Sequence, residues 1–211
     1  MAGRFIVVEG LEGAGKTTAI ETIKHYFESH SQSVIVTREP GGTRIGEGLR
    51  TLLKENVDGE LLDARCELLM MYAARVQLLQ QVIRPALNRG DWVIADRFEL
   101  STYAYQGGGR GINKHTLDCL STICLQDFKP DLILFLDISP EQGLERAKGR
   151  GKLDRIEQES KVFFTNVYQA YHQYIKDMDN VHIIDASLPL NSVQKSIIIQ
   201  LNQFMTYNDN V

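Results

Sequence analysis

The chain has 211 residues, 43% of them hydrophobic and 24% charged, proportions that fit one globular domain and exclude a disordered or collagen-like chain. Lys and Arg total 23 against 27 Asp and Glu, a formal net charge of −4, which excludes a protein whose main task is to coat nucleic acid or anionic membrane. Any cationic site must therefore be local, and one domain over residues 1–211 is expected.

The three cysteines, Cys66, Cys119 and Cys124, form no CxxC pair and are odd in number. Free thiols in a reducing, cytoplasmic setting are the expectation. Aliphatic stretches such as Leu132 to Leu136 fall short of a membrane helix, and Met1 to Glu9 lack the layout of a signal peptide, so neither a membrane span nor secretion is expected.

In chain order, short aliphatic and β-branched runs read as strands at Phe5 to Glu9, Ser33 to Thr37, Trp92 to Asp96, Leu132 to Asp137 and Val181 to Asp185. Their apolar residues run on without alternation, as in strands covered on both faces, and the intervals between them are long enough for helical crossovers. The fold class is therefore α/β with a parallel sheet. Ile20, Ile23 and Phe27 mark a helix after the first strand, and Asp63 to Leu87, apolar around most of its circumference, reads as one long buried helix. Ser139-Pro140-Glu141-Gln142 reads as a capping box. Glycine clusters at Gly41-Gly42, Gly107 to Gly109 and Gly149 to Gly151 read as loops.

Gly10-Leu11-Glu12-Gly13-Ala14-Gly15-Lys16-Thr17 matches GxxxxGK[ST] in full, after a strand and before a helix. Such a loop curls its backbone N–H groups toward phosphate oxygens at the positive end of a helix. Lys16 is expected to reach the β- and γ-phosphates of ATP, and Thr17 to ligate Mg²⁺. No Asp is followed three residues later by Gly, and Asn113-Lys114-His115-Thr116 lacks the Asp of a guanine-reading NKxD, which disfavours a GTPase switch. The third strand runs into Asp96-Arg97 where a water-activating ATPase often carries Asp-Glu. Asp96 suits the metal's water shell and Arg97 a phosphate, a pairing for transfer between two phosphorylated molecules, although an Asp–Arg surface pair has the same sequence.

Uniting ATP with a nucleoside monophosphate crowds negative charge that cations must offset. Arg38 ends the second strand, and Arg146, Arg150 and Arg155 flank Gly149 and Gly151. The segment at about 146–157 reads as a basic hinged lid in which Arg150 and Arg155 serve phosphate, whereas Arg146 reads as an ordinary basic residue at a helix C-terminus. No catalytic base is required, because a phosphate monoester has its second pKa near 6, and the five histidines need no catalytic task.

These residues resemble the bacterial thymidylate kinases. The resemblance includes Gly10 to Thr17, Thr37-Arg38-Glu39-Pro40-Gly41-Gly42-Thr43, Tyr72-Ala73-Ala74-Arg75, Asp96-Arg97 through Ser101 to Tyr105-Gln106-Gly107-Gly108-Gly109, and Leu153-Asp154-Arg155-Ile156-Glu157. It implies a three-layer P-loop kinase fold with a five-stranded parallel sheet, transfer of the γ-phosphoryl of ATP to dTMP with Mg²⁺, and a cytoplasmic homodimer. It further implies that Arg38 takes the dTMP phosphate, that Arg97 stands between acceptor and donor phosphates, and that Pro40 belongs to the acceptor site. By the same likeness Glu12 accepts from the 3′-hydroxyl, Arg75 reads thymine O4, Ser101 and Gln106 line the base and sugar pocket, and Tyr105 excludes a ribose 2′-hydroxyl. Without it, Arg75 reads as a core-edge salt-bridge residue and Tyr105 as packing. One departure stands out: Met71 occupies the position where the family commonly stacks a Phe on thymine. The competing readings are another deoxynucleotide or deoxynucleoside kinase, and a non-catalytic nucleotide-binding regulator.

Overall fold

The computed structural model describes residues 3–56, 59–149 and 153–209, the side chains of 207–209 excepted. The strands are β1 (Phe5–Gly10), β2 (Val34–Arg38), β3 (Trp92–Asp96), β4 (Leu132–Asp137) and β5 (Val181–Asp185). They form one five-stranded sheet in the order β2-β3-β1-β4-β5, every neighbouring pair parallel. β1 runs one residue further than the sequence pattern implies, and β2 starts one residue later.

The central strands β1, β3 and β4 are almost wholly buried, as continuous apolar runs require. β2 and β5 are the sheet edges and expose part of their side chains, so the expectation of cover on both faces fails for these two. One cluster of buried apolar side chains extends through β1, β3, β4 and β5 and takes in the helices on both faces.

The helices are α1 (Lys16–Ser29), α2 (Arg44–Lys54), α3 (Ala64–Leu78), α4 (Arg84–Asn88), α5 (Glu99–Thr102), α6 (Lys114–Leu125), α7 (Pro140–Lys148), α8 (Lys161–Ile175) and α9 (Leu190–Asp209). Asp63 caps α3, its Oδ1 accepting from Arg65 N at 2.8 Å. The long helix expected over Asp63 to Leu87 is α3 and α4 joined by a π-helical turn at Leu79–Ile83. Pro85 supplies the reason: it has no N–H to give the carbonyl of Gln81, and its ring crowds that carbonyl. At α7, Ser139 Oγ accepts from Gln142 N at 3.3 Å, as the capping pattern implies.

Gly107 to Gly109 correct the loop reading, because they end a second π-helical turn, Tyr103–Gly109. The glycines allow close packing on α8: a Cβ at Gly108 would lie 2.4 Å from Ala170 Cβ, and one at Gly109 2.4 Å from the Phe163 ring. Gly149 caps α7, while Arg150 and Gly151 lie outside the described residues.

The chain order reverses at β1, between β3 and β4. A ligand crevice is expected outside the carboxyl ends of the strands at such a point. Gly10, Arg38 and Asp96 are the last residues of β1, β2 and β3, so all three motifs open onto that edge.

Candidate active site

The loop from Gly10 to Lys16 joins β1 to the N-terminus of α1, whose cap, Gly15, has φ +90°. Gly13 packs so close to α7 that a Cβ would lie 2.0 Å from Gly143 O. Leu11 and Ala14 are buried beneath the loop, and α1 has no acid in its first turn to oppose an anion. Lys16 is 8% exposed and donates from Nζ to Gly10 O (3.2 Å) and Leu11 O (3.0 Å). Burial and the neighbouring Arg97 push its ammonium below the usual lysine range, opposed by Glu12, Asp96 and Glu9.

Thr17 and Asp96 line one recess with Lys16. Asp96 Oδ1 is buried and has no partner among the described residues. A hydroxyl and an unpartnered carboxylate oxygen fit a Mg²⁺ that keeps most of its waters.

Arg97 follows β3 with φ +70°, a conformation a non-glycine residue holds only when its surroundings fix it. Its backbone N donates to Val8 O at 3.0 Å. Nη1 donates to Ser101 Oγ (3.0 Å) and Tyr171 OH (3.1 Å), and Nη2 to Glu12 Oε1 (2.6 Å) and Tyr105 OH (3.0 Å). The guanidinium also lies 4.9 Å from the Tyr105 ring centroid. Glu12 thus turns to Arg97, which resolves the presence of an acid in an anion-binding loop. Burial pushes its carboxyl up, but Arg97 and Lys16 outweigh that and hold it down at about 2.

Beneath this guanidinium sits Glu9, fully buried at the end of an otherwise apolar strand. Its Oε1 accepts from Phe98 N (2.9 Å) and Ser101 N (3.2 Å), and its Oε2 from Ser101 Oγ (2.6 Å) and Tyr171 OH (2.9 Å). Glu9 therefore ties the segment after β3 to β1 and orients the two hydroxyls that receive Arg97.

One cavity is lined by Glu12, Lys16, Arg38, Pro40, Met71, Arg75, Arg97, Ser101, Tyr105 and Gln106. The structure thus brings the expected acceptor residues together. Arg38 is exposed, with Nη2 on Glu47 Oε2 at 2.9 Å. Pro40 follows a cis peptide bond and accepts from Arg50 Nη1 at 2.8 Å. At the far end Arg75, 2% exposed, donates from Nε to Glu39 Oε2 (2.7 Å) and from Nη2 to Thr102 Oγ1 (2.8 Å). Arg75 Nη1 and Glu39 Oε1 are both buried and unpartnered among the described residues. Burial, reinforced by Glu9 and Glu99 and opposed by Arg75, pushes Glu39 up to about 7.

Of the two lid arginines, Arg155 alone is among the described residues, and Arg150 lies outside them. Arg155 is absent from the cavity lining and is held by Glu67 Oε2 (2.6 Å) and Leu53 O (2.8 Å), while its neighbours Asp154 and Ile156 do line the cavity.

Sequence reasoning missed several members. Arg50 and Lys54 line the cavity from α2, and Glu9 and Tyr171 support Arg97. Glu9 left one signal, a carboxylate closing a buried apolar strand. Arg146, read above as a plain helix-terminal cation, donates to Ala186 O at 2.9 Å and faces the recess beside Gly15 and Thr18.

A family model described as thymidylate kinase matches residues 8–197. Thymidylate kinases of Legionella pneumophila strains Corby and Paris are each 54% identical to this chain over 208 residues, spanning 99% of it and 98% of their own length.

Proposed function

The chain belongs to the thymidylate kinase family, and on that premise we propose how its residues carry the γ-phosphoryl of ATP to dTMP, giving dTDP and ADP. The observation that carries the reading is the placement of Arg97, clamped at the junction of the phosphate loop and the acceptor cavity.

The loop N–H groups and the start of α1 take the donor phosphates. The recess between Gly15, Thr18, Arg146 and the segment from Ala186 to Leu190 takes the donor nucleoside. Lys16 exchanges the carbonyls of Gly10 and Leu11 for phosphate oxygens and follows the charge as it moves. Thr17 and Asp96 would hold Mg²⁺, which when bound supplies charge neutralisation at the donor phosphates.

Arg38 and Arg50 hold the dTMP phosphate and Arg97 bridges it to the donor, offsetting the repulsion between the two anions. The acceptor oxygen is already largely ionised at neutral pH, so no side chain has to remove a proton. Arg75 Nη1, a buried donor without a partner among the described residues, meets thymine O4, and Met71 lies against the base. Tyr105, fixed by Arg97, excludes a 2′-hydroxyl, and Glu12 accepts from the 3′-hydroxyl.

The working form is a cytoplasmic homodimer. α3 exposes Cys66, Leu69 (56%) and Ala73, and the adjoining α6 exposes Ile123 (73%), an apolar strip suited to a two-fold contact with a second copy. No helix among the described residues is long and apolar enough to cross a membrane.

A coupled assay of ADP production with dTMP, dUMP, UMP and thymidine tests the proposal. Preference for dTMP in kcat/KM supports it, and equal use of UMP or thymidine refutes the pocket assignment.

A further inference from the structure

We propose that Glu67 and Arg155 form a positioning pair that holds the walls of the acceptor cavity together, and that Arg155 acts through this carboxylate and not on a phosphate. The inference rests on the acceptor-site reading given above.

Glu67 is 1% exposed and stands on α3 four residues before Met71 and eight before Arg75, so all three share one helix face. Its Oε1 accepts from Gln106 Nε2 (2.8 Å) and Arg110 Nε (3.1 Å), and its Oε2 from Arg110 Nη2 (3.1 Å) and Arg155 Nη2 (2.6 Å). Arg155 also donates from Nε to Leu53 O (2.8 Å) and from its backbone N to Lys54 O (3.0 Å), at the end of α2.

One carboxylate therefore joins four walls of the cavity. α3 carries Met71 and Arg75, the π-helical turn carries Gln106, the segment after residue 152 carries Asp154 and Ile156, and α2 carries Arg50 and Lys54. A second ion pair, Lys54 Nζ to Asp154 Oδ2 at 2.6 Å, closes the same seam at the cavity wall. Burial pushes the Glu67 carboxyl up, but hydrogen bonds from Arg110, Gln106 and Arg155 overcome it and hold the group below the usual carboxylate range. Arg110 remains balanced by Glu159, whereas Glu67 is the one acid paired with Arg155 among the described residues. Two of the three guanidinium nitrogens of Arg155 are committed to this seam, and reaching a phosphate would require breaking it.

A pair that shapes the acceptor cavity governs dTMP binding, whereas a lid cation on the transferred phosphoryl governs kcat. The test compares wild type, Glu67→Gln, Arg155→Gln and the double variant by the dissociation constants of dTMP and of a non-hydrolysable ATP analogue, kcat and melting temperature. Each single variant is expected to weaken dTMP about ten-fold while the ATP analogue stays within about two-fold and kcat within about three-fold; the double variant is expected to match the worse single variant. Glu67→Asp, which keeps the charge, is expected to recover part of the dTMP affinity.

A fall in kcat of about a hundred-fold for Arg155→Gln with dTMP binding unchanged would place Arg155 on phosphate and overturn the pair. Multiplicative effects in the double variant, or a lowered melting temperature with unchanged dTMP binding, would overturn it as well. If Glu67→Gln does not fold, the split between dTMP binding and kcat in Arg155→Gln decides alone. Wild-type turnover of dTMP tests the acceptor-site reading separately from these comparisons.

Discussion

Glu9→Gln exchanges one oxygen for an NH₂ group with almost no change of shape, and it isolates what the buried carboxylate does for Arg97. Oε1 faces two backbone N–H groups, Phe98 and Ser101, which can only donate. The amide must keep its carbonyl there and turn its NH₂ toward Ser101 Oγ and Tyr171 OH. These hydroxyls now donate to Glu9 Oε2 at 2.6 and 2.9 Å and accept from Arg97 Nη1 at 3.0 and 3.1 Å. With NH₂ in that place, both hydroxyl protons lose their acceptor, and only one can turn to the other across 2.8 Å.

Two backbone bonds lose their charge assistance at about 1 kcal/mol each, and one stranded hydroxyl proton costs about 1–3 kcal/mol, for a total of about 3–5 kcal/mol. In a chain of this size each kcal/mol moves Tm by about 2–4 °C, so a drop on the order of 10 °C is expected. Arg97 meanwhile competes with the new NH₂ donor for the hydroxyl lone pairs that fix Nη1, and a displacement near 1 Å costs about a hundred-fold in kcat. Thermal unfolding and a coupled ADP assay at saturating ATP and dTMP measure the two effects. A variant with kcat within two-fold of wild type and an unmoved Tm would refute the claim that Glu9 sets the geometry of Arg97.

Lys16→Ala is expected to lower kcat by about 10²–10³-fold with the fold intact, since among the described residues Lys16 contacts the Gly10 and Leu11 carbonyls and the Glu12 carboxylate, all within its own loop; near wild-type turnover would sink the phosphate-loop reading. Arg38→Ala removes an exposed cation from the acceptor side, so dTMP binding should weaken about ten-fold and ATP-analogue binding far less, and the reverse order in equilibrium titrations would overturn the assignment. Met71→Phe should tighten dTMP by placing a flat ring on the base. If the cavity has repacked around Met71, the ring instead costs about 1–3 kcal/mol and both dTMP affinity and Tm fall; unchanged affinity and Tm would mean that Met71 does not meet the base.

What could be read from the sequence was local. The phosphate loop, Asp96-Arg97 and the strand positions declare themselves within a few residues, because glycine conformation, strand periodicity and the carboxyl ends of parallel strands are short-range properties. The partners of Glu9 and Glu67 could not be read in this way. Ser101 and Arg155 lie 92 and 88 residues away, and a lone acid carries no mark of the partners that folding will deliver. The glycine run at 107–109 misled for a related reason: it looks like a loop until α8 is present to demand the space.

Arg75 shows how a structural and a functional reading of one residue can both hold. The plain reading of the sequence, a salt bridge at the edge of the core, describes its 2.7 Å contact with Glu39. That reading accounts for Nε and Nη2 but leaves Nη1 and Glu39 Oε1 buried without partners among the described residues. An unsatisfied buried donor or acceptor costs about 1–3 kcal/mol, and a residue serving only the core would be replaced at a gain by an apolar side chain of similar volume. The arrangement is stable enough because Glu39 Oε2, Phe98 O and Thr102 Oγ1 satisfy the remainder, and under the proposed function the spare donor is useful because Arg75 lines a cavity where a base carbonyl can complete it. On that proposal, binding of dTMP recovers a cost that folding left in place, and this end of the cavity should reject a base that presents a donor where thymine presents O4.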